Sequence, residues 1–305
     1  MTVSRKPVEP ETPIPSAQLS TADLDAIADE AAPLGRETAE IIEAATEIGR
    51  QRLRRPILGE AITALIGGMS VCFGAVAMAT TGGLTRDFAG PSAALLTGAL
   101  SFPIGFVILL IGKSELFTEN FLVPVLGVLE GRGTLKNLGR LWMVSLIFNL
   151  IGAIIFAWLI SRPGVLDSRA AADLRSIGIE KAGYSFGTAF TKAIFAGWLM
   201  SILTWLLLAC ASVGQRLAII WMVATLIILG GFNHAVISAA ESFMAIDLGA
   251  RLSYAQWFLH NLIPAVLGNM TGGILFVTAL FYLQHNALSD ERTILGDDAP
   301  NSNDA

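Results

Sequence analysis

The sequence predicts an all-α, polytopic membrane protein: six transmembrane helices in two inverted three-helix repeats, with helices 2 and 5 interrupted. Three observations predict it. The first is composition: of 305 residues, 53% are hydrophobic and 15% charged, where soluble domains carry about a quarter charged residues. The second is a series of apolar runs of ~20 residues, the length that crosses a bilayer's hydrocarbon core. The third is a pair of interruptions, at Gly112-Lys-Ser-Glu-Leu-Phe-Thr-Glu-Asn120 and at Gly230-Gly-Phe-Asn-His234, each flanked by apolar sequence on both sides.

The interruptions belong to an internal repeat. At an offset of about 120 residues, Gly112 aligns with Gly230–Gly231, and Asn149-x-x-Gly152 with Asn269-x-x-Gly272. Each unit reads as plain helix, broken helix, plain helix. Three spans is an odd number, so the second unit enters the membrane with the opposite orientation. Broken helices free backbone N–H and C=O groups, which lipid tolerates only inside protein or along a cavity. Inverted repeats broken at matching places point to a site near the midplane.

Along the chain, residues 1–55 form an N-terminal extension. Its first twenty residues hold Pro7, Pro10, Pro13 and Pro15 in polar sequence and read as disordered. A short helix is expected over 20–33, capped by Ser20 or Thr21, and a second over 37–55 with Ile41, Ile42, Ala45 and Ile48 on one side. The second suits a membrane surface, a neighbouring subunit or a solvated linker. These fifty residues are polar and acidic, not basic followed by apolar, so no cleavable signal peptide is expected.

Arg50, Arg52, Arg54 and Arg55 precede the first span and set the N-terminus on the cytoplasmic side. The transmembrane domain covers 56–284. Helix 1 runs over about 57–80 and helix 2 over 92–129 with its break at 112–120. Helix 3 covers 138–160, an outer loop 161–185, and helix 4 186–212. Helix 5 covers 217–246 with its break at 230–234, and helix 6 255–283. An acidic cytoplasmic tail, 285–305, closes the chain. Glu60, His260 and His285 read as interfacial, Lys192 as an anion attractor or a snorkelling lysine, and Glu241 as paired with a neighbour.

The net charge of −5 lies mostly at the two ends, and the one basic cluster adjoins a span, so nucleic acid is not expected as a partner. Cys72 and Cys210 sit in apolar runs without metal-ligand spacing, and no cofactor or metal is expected.

His234 and Asn233 are costly inside a membrane-length segment, so they should face protein or a water-filled gap. Lys113, at the first break, either concentrates anions or pairs with Glu115 or Glu119. Asn149 either lines the pore or bonds between helices. The alternative for His234 is a core histidine satisfied by backbone. An intramembrane enzyme using His234 with Ser238 or Glu241 is the rival class, but no His-Glu-x-x-His or Gly-x-Ser-x-Gly pattern is present.

Phe102-Pro-Ile-Gly-Phe106, Gly112-Lys-Ser-Glu-Leu-Phe-Thr118, Gly231-Phe-Asn-His234 and Gly268-Asn-Met-Thr-Gly-Gly273 resemble the signatures of the formate/nitrite transporter family. The four motifs occur in order and cover about 56–284, and the long N-terminal extension is similar to a bacterial inner-membrane branch of it. The resemblance implies an aquaporin-like protomer, a homopentamer with one pore per protomer, and passage of small monovalent anions such as formate, nitrite, hydrosulfide or lactate. It also assigns roles: Phe102 in the outer constriction, Phe106, Leu116 and Phe117 in the inner one, Thr118 beside the solute, and His234 at the centre. Ile227 stands where an outer phenylalanine is usual, and Asn233 where some members carry an acid. Asn269 matches a pore-facing amide whose usual asparagine partner is here Ser201. The mechanism expected is hydrogen-bond or proton donation by His234 to an anion between two apolar rings. The alternatives are a neutral-solute pore, a proton-coupled weak-acid carrier, and a pentameric scaffold that has lost conduction.

Overall fold

The computed structural model describes residues 36–295, with side chains to Leu288. The expected tail and short helix before residue 36 and the tail beyond 295 lie outside the described residues. The described elements are helical throughout: α1 Thr38–Arg54, α2 Ile57–Ser101, α3 Pro103–Ile111, α4 Val123–Leu129, α5 Leu135–Ile160, α6 Ser168–Ala182, α7 Phe186–Ala209, α8 Val213–Leu229 and α9 Ala235–Asp247. The last, α10, is apolar over Tyr254–Leu288 and helical on to Leu295, so the final helix outlasts the expected end near 283.

Helix α2 contains a reversal. Gly90 takes φ 81° and ψ −179°, outside helical space, just before Pro91. Beyond it the chain folds back, bringing Thr97 Oγ1 to Thr85 Oγ1 at 3.1 Å and the Thr97 carbonyl to Thr81 Oγ1 at 3.3 Å. The first span thus runs to Gly90, about ten residues past its expected end. Polar Thr81, Thr85, Arg86 and Asp87 stay helical there because the returning arm and α6 pack on them. The arms approach closely because Gly74 and Gly105 lack side chains: a Cβ on Gly105 would stand 2.5 Å from the Gly74 nitrogen. Small residues are how helices gain contact in lipid, where no hydrophobic drive brings them together.

The returning arm with α3, the break, and α4 makes the second span; α8, its break, and α9 make the fifth. With α2's first arm, α5, α7 and α10 there are six, in two inverted sets of three. Large apolar side chains such as Leu58 (72% exposed) and Phe88 (81%) cover the outside of the single chain, a surface that suits lipid or neighbouring subunits rather than water.

Two elements differ from expectation. Helix α1 packs against its own chain: Ile41, Ile42 and Ala45 are buried with Leu122, Val123 and Leu126 of the second span. A Cβ on Gly49 would fall on the Val123 carbonyl. The loop expected at 161–185 contains α6, begun by Asp167, whose side chain accepts from the Arg169 N–H at 2.8 Å. Ala170, Asp173, Leu174, Gly178 and Lys181 form its buried face, a helical spacing hidden by mixed charge.

Candidate functional site

Each break is built around one asparagine. At the first, α3 ends at Ile111, Gly112 caps it, and Lys113 adopts φ 57°. An extended stretch leads to a 3-10 turn over Phe117–Phe121. Asn149 of α5 holds this stretch: its Oδ1 accepts from the Phe117 N–H at 2.8 Å. Its Nδ2 donates to the Glu115 carbonyl at 3.0 Å and to the Ala64 carbonyl at 2.7 Å. At the second, α8 ends at Leu229 and Gly231 takes φ 59°, a left-handed turn that favours glycine. Asn269 of α10 repeats the pattern. Its Oδ1 accepts from the Ala235 N–H at 2.9 Å, while Nδ2 donates to the Asn233 carbonyl at 3.0 Å and the Ala193 carbonyl at 2.7 Å.

The amides can lie so close to the neighbouring helix because Gly68 and Gly197 face them: a Cβ on either would overlap the carbonyl of Asn149 or Asn269. Gly152 and Gly272 make the same approach from the other side. Both asparagines are fully buried; each makes two of its bonds to backbone groups that the break would otherwise leave unpaired and one to a carbonyl of a neighbouring intact helix. They act as clamps. Each brackets one residue, Leu116 in the first break and His234 in the second.

The clamps bring together side chains 116 positions apart in sequence: Thr118 Oγ1 and His234 Nε2 lie 2.8 Å from each other. His234 also precedes α9 and caps it, Nδ1 accepting from the Ile237 N–H at 3.3 Å. A nitrogen that accepts carries no proton. The ring is therefore the neutral tautomer with its proton on Nε2, donated to Thr118. Having accepted there, the Thr118 hydroxyl keeps its own proton to donate.

Apolar side chains enclose the pair. Phe106 meets the imidazole edge-on with ring centres 6.2 Å apart, and Phe102 lies 5.7 Å beyond Phe106. Phe102, Phe106, Leu116, Ile227, Thr118 and His234 have no exposed surface, and Phe117 has 2%. The gap is occluded in this structure. Above it a cavity of about 240 Å³ reaches down to Ile227 and Glu241 and is also lined by Arg86, Asp173, Lys181 and Tyr184.

Other expected residues stand in supporting positions. Asn233 receives the Ser238 hydroxyl at 2.5 Å. Ser201 is buried against Gly273 and Phe121, its hydroxyl without a hydrogen-bond partner. Lys113 is exposed, and Glu115 and Glu119 pair not with it but with α1: Arg55 reaches Glu115 at 2.6 Å, and Arg52 reaches Glu115 at 3.4 Å and Glu119 at 3.8 Å. Glu60, expected at the interface, is 2% exposed and lies 3.5 Å from Arg140. Lys192 Nζ donates to the Gly231 carbonyl at 3.1 Å, bracing the second break. Glu241 is paired, as expected, and its partner is Lys181 of α6. Sequence reasoning missed Lys181 and the α1 arginines as site residues; the α6 periodicity was the one signal for the former.

Comparison with known proteins agrees with this architecture. The formate/nitrite transporter family model matches residues 39–283. A protein named as a probable formate transporter of Methanothermobacter thermautotrophicus is 28% identical over 81% of this chain and 96% of its own. The inner membrane protein YfdC of Escherichia coli is 27% identical, covering 80% of this chain and 78% of its own. Among solved structures, an FNT family ion channel superposes with a TM-score of 0.74 at 21% identity, over 81% of this chain and 99% of that one. A pentameric formate channel with formate bound gives 0.63 at 24% identity, over 75% and 97%. With the family model spanning both repeats and both breaks, the chain belongs to the formate/nitrite transporter family.

Proposed function

We propose that the protein passes small monovalent anions of the formate/nitrite class through the gap between the two breaks, and that His234 and Thr118 bind the anion there. The observation that carries this is the 2.8 Å pairing of Nε2 with Thr118 Oγ1 inside an otherwise apolar enclosure. Two donors, the Nε2–H and the Thr118 O–H, can turn to an ion inserted between them. The N-terminus of α9, a 13-residue helix starting beside the ring, adds a favourable field for negative charge.

A bare anion crossing Phe102 and Ile227 on one side, or Phe106, Leu116 and Phe117 on the other, faces a desolvation cost of several kcal/mol. The apolar seals therefore favour a second reading for energised membranes, in which the anion crosses with a proton as the neutral acid. His234 contributes a hydrogen bond in either case, since its Nδ1 is committed to the Ile237 N–H. Asn149 and Asn269 position the breaks, Ile227 and Phe102 close the mouth on the α6 side, and Ser201, Asn233 and Lys113 act through neighbouring backbone or field. Family resemblance supports a homopentamer in a bacterial inner membrane, and the arginines before the first span, with an even number of spans, support cytoplasmic termini.

The test is uptake of formate and nitrite into proteoliposomes across a pH series. Saturable uptake that rises as external pH falls supports the reading. Flux of neutral solutes alone, or no flux from folded protein, contradicts it.

A further inference from the structure

Helix α10 widens into π turns twice, over Phe258–Leu262 and over Ile274–Thr278. In the second, the Ala279 N–H bonds to the Ile274 carbonyl five residues back. Such turns are rare and occur mostly as single turns inside α-helices, often at functional sites. In a regular α-helix five residues advance about 140° beyond a full turn, which would aim Thr278 away from the face that carries Gly273. The wider turn takes in nearly one more residue and returns Thr278 to that face.

That face lies on the first break. A Cβ on Gly273 would stand 2.9 Å from the Phe121 Cβ and 2.5 Å from Ser201 Oγ. Thr278 has no exposed surface. Its hydroxyl donates to the Phe121 carbonyl at 2.7 Å, with the Gly273 carbonyl a longer second acceptor at 3.1 Å. From α5, Trp142 donates its Nε1–H to the Asn120 carbonyl at 2.8 Å. Helices of both repeats thus grip consecutive carbonyls at the end of the 3-10 turn. The Phe121 ring beside them is fully buried. It meets Phe117 edge-on with ring centres 4.9 Å apart, and Trp142 at 6.1 Å. Phe117 is the ring that family resemblance assigns to the inner constriction, whereas Phe121 and Thr278 fall outside the four sequence motifs. Edge-to-face contact is directional and a close-packed interior transmits displacement, so the Phe117 ring follows the Phe121 ring.

We propose that Thr278 is a positioning residue of the inner seal and that Phe121 is the ring through which it acts. Together they fix how far Phe117 stands into the gap, and so set the largest monocarboxylate that passes the inner side. Thr278 touches no solute. It acts through one backbone carbonyl, and the π turn is the local distortion that brings its hydroxyl there. The last helix thereby serves both breaks, Asn269 clamping the second and Thr278 anchoring the end of the first. The size limit rests on the anion-pathway reading above, but the positioning of Phe117 is measurable without transport.

The test compares isosteric Thr278→Val, which loses the hydroxyl, with Thr278→Ser, which keeps it. Fluorine-19 NMR of full-length protein in detergent, with 4-fluorophenylalanine in place of Phe117, reads the ring directly. Thr278→Val should displace or split its signal, and Thr278→Ser should restore the native position. In proteoliposomes the ratio of lactate to formate uptake should rise several-fold in Thr278→Val and return towards the native value in Thr278→Ser. A folded Thr278→Val protein with the native fluorine signal, or with an unchanged or lower uptake ratio, overturns the proposal, as does Thr278→Ser behaving like Thr278→Val. Should Thr278→Val not fold, Phe121→Leu removes the intervening ring and keeps the carbonyl. Its lactate-to-formate ratio should rise likewise, and a native ratio overturns the proposal equally. Absence of native uptake with the expected fluorine response would strike at the transport reading alone.

Discussion

The two broken helices share a skeleton and differ in nearly everything hung on it. In both, a buried asparagine holds the carbonyl before and the N–H after one bracketed residue, and a glycine on the facing helix makes room for it. In the first break the bracketed residue is Leu116, and the flanking stretch carries Glu115 and Glu119, tied by Arg52 and Arg55 to α1. In the second it is His234, flanked by glycines and an amide and followed directly by α9. The repeat supplies the backbone that lets polar groups exist inside a membrane. The departure from symmetry lies where the His234 imidazole meets Thr118, two residues after Leu116, across the gap.

The comparison breaks most readily at the clamps. Asn149→Leu and Asn269→Leu each leave two buried backbone groups of the break unpaired, at roughly 1–3 kcal/mol apiece. Both should abolish folded protein or lower its unfolding temperature by similar, large amounts in detergent. Unequal effects would show that the repeats do not carry load alike. A smaller loss, about 1–3 kcal/mol from overpacking, is expected for Gly68→Ala and Gly197→Ala, again as a matched pair; a silent Gly197→Ala would refute the close approach. The smallest effect sharpens the asymmetry. Arg55→Ala strips one of two cations from buried Glu115, with Arg52 remaining at 3.4 Å, and should cost about 1 kcal/mol. Thermal scans should show it acting through the first break, with formate response at His234 retained.

Much of this was legible in the sequence, for stated reasons. Hydrophobic run length marked the spans, and Gly112, Gly230 and Gly231 marked both breaks because helices stop there. The aligned Asn149 and Asn269 revealed the repeat. Their use as backbone clamps was not legible, since one-dimensional sequence does not say which carbonyls a break leaves free. A connection was expected over about 80–92, but α2 runs on to Gly90 through polar residues that only the returning arm makes tolerable. Helix α6 was hidden by alternating charge, and with it Lys181, whose partner Glu241 is 60 residues away. The amphipathic face of α1 was visible; that it closes on α4 of the same chain was not.

The account rests on a neutral His234 that offers its Nε2 proton into the gap. Nitrogen-15 NMR of histidine-labelled protein, with His260 and His285 replaced by glutamine, observes that ring directly. The account predicts an unprotonated Nδ1, a protonated Nε2, and a shift of the Nε2 signal on adding formate. A proton found on Nδ1, or a spectrum indifferent to formate at concentrations that saturate uptake, would contradict it.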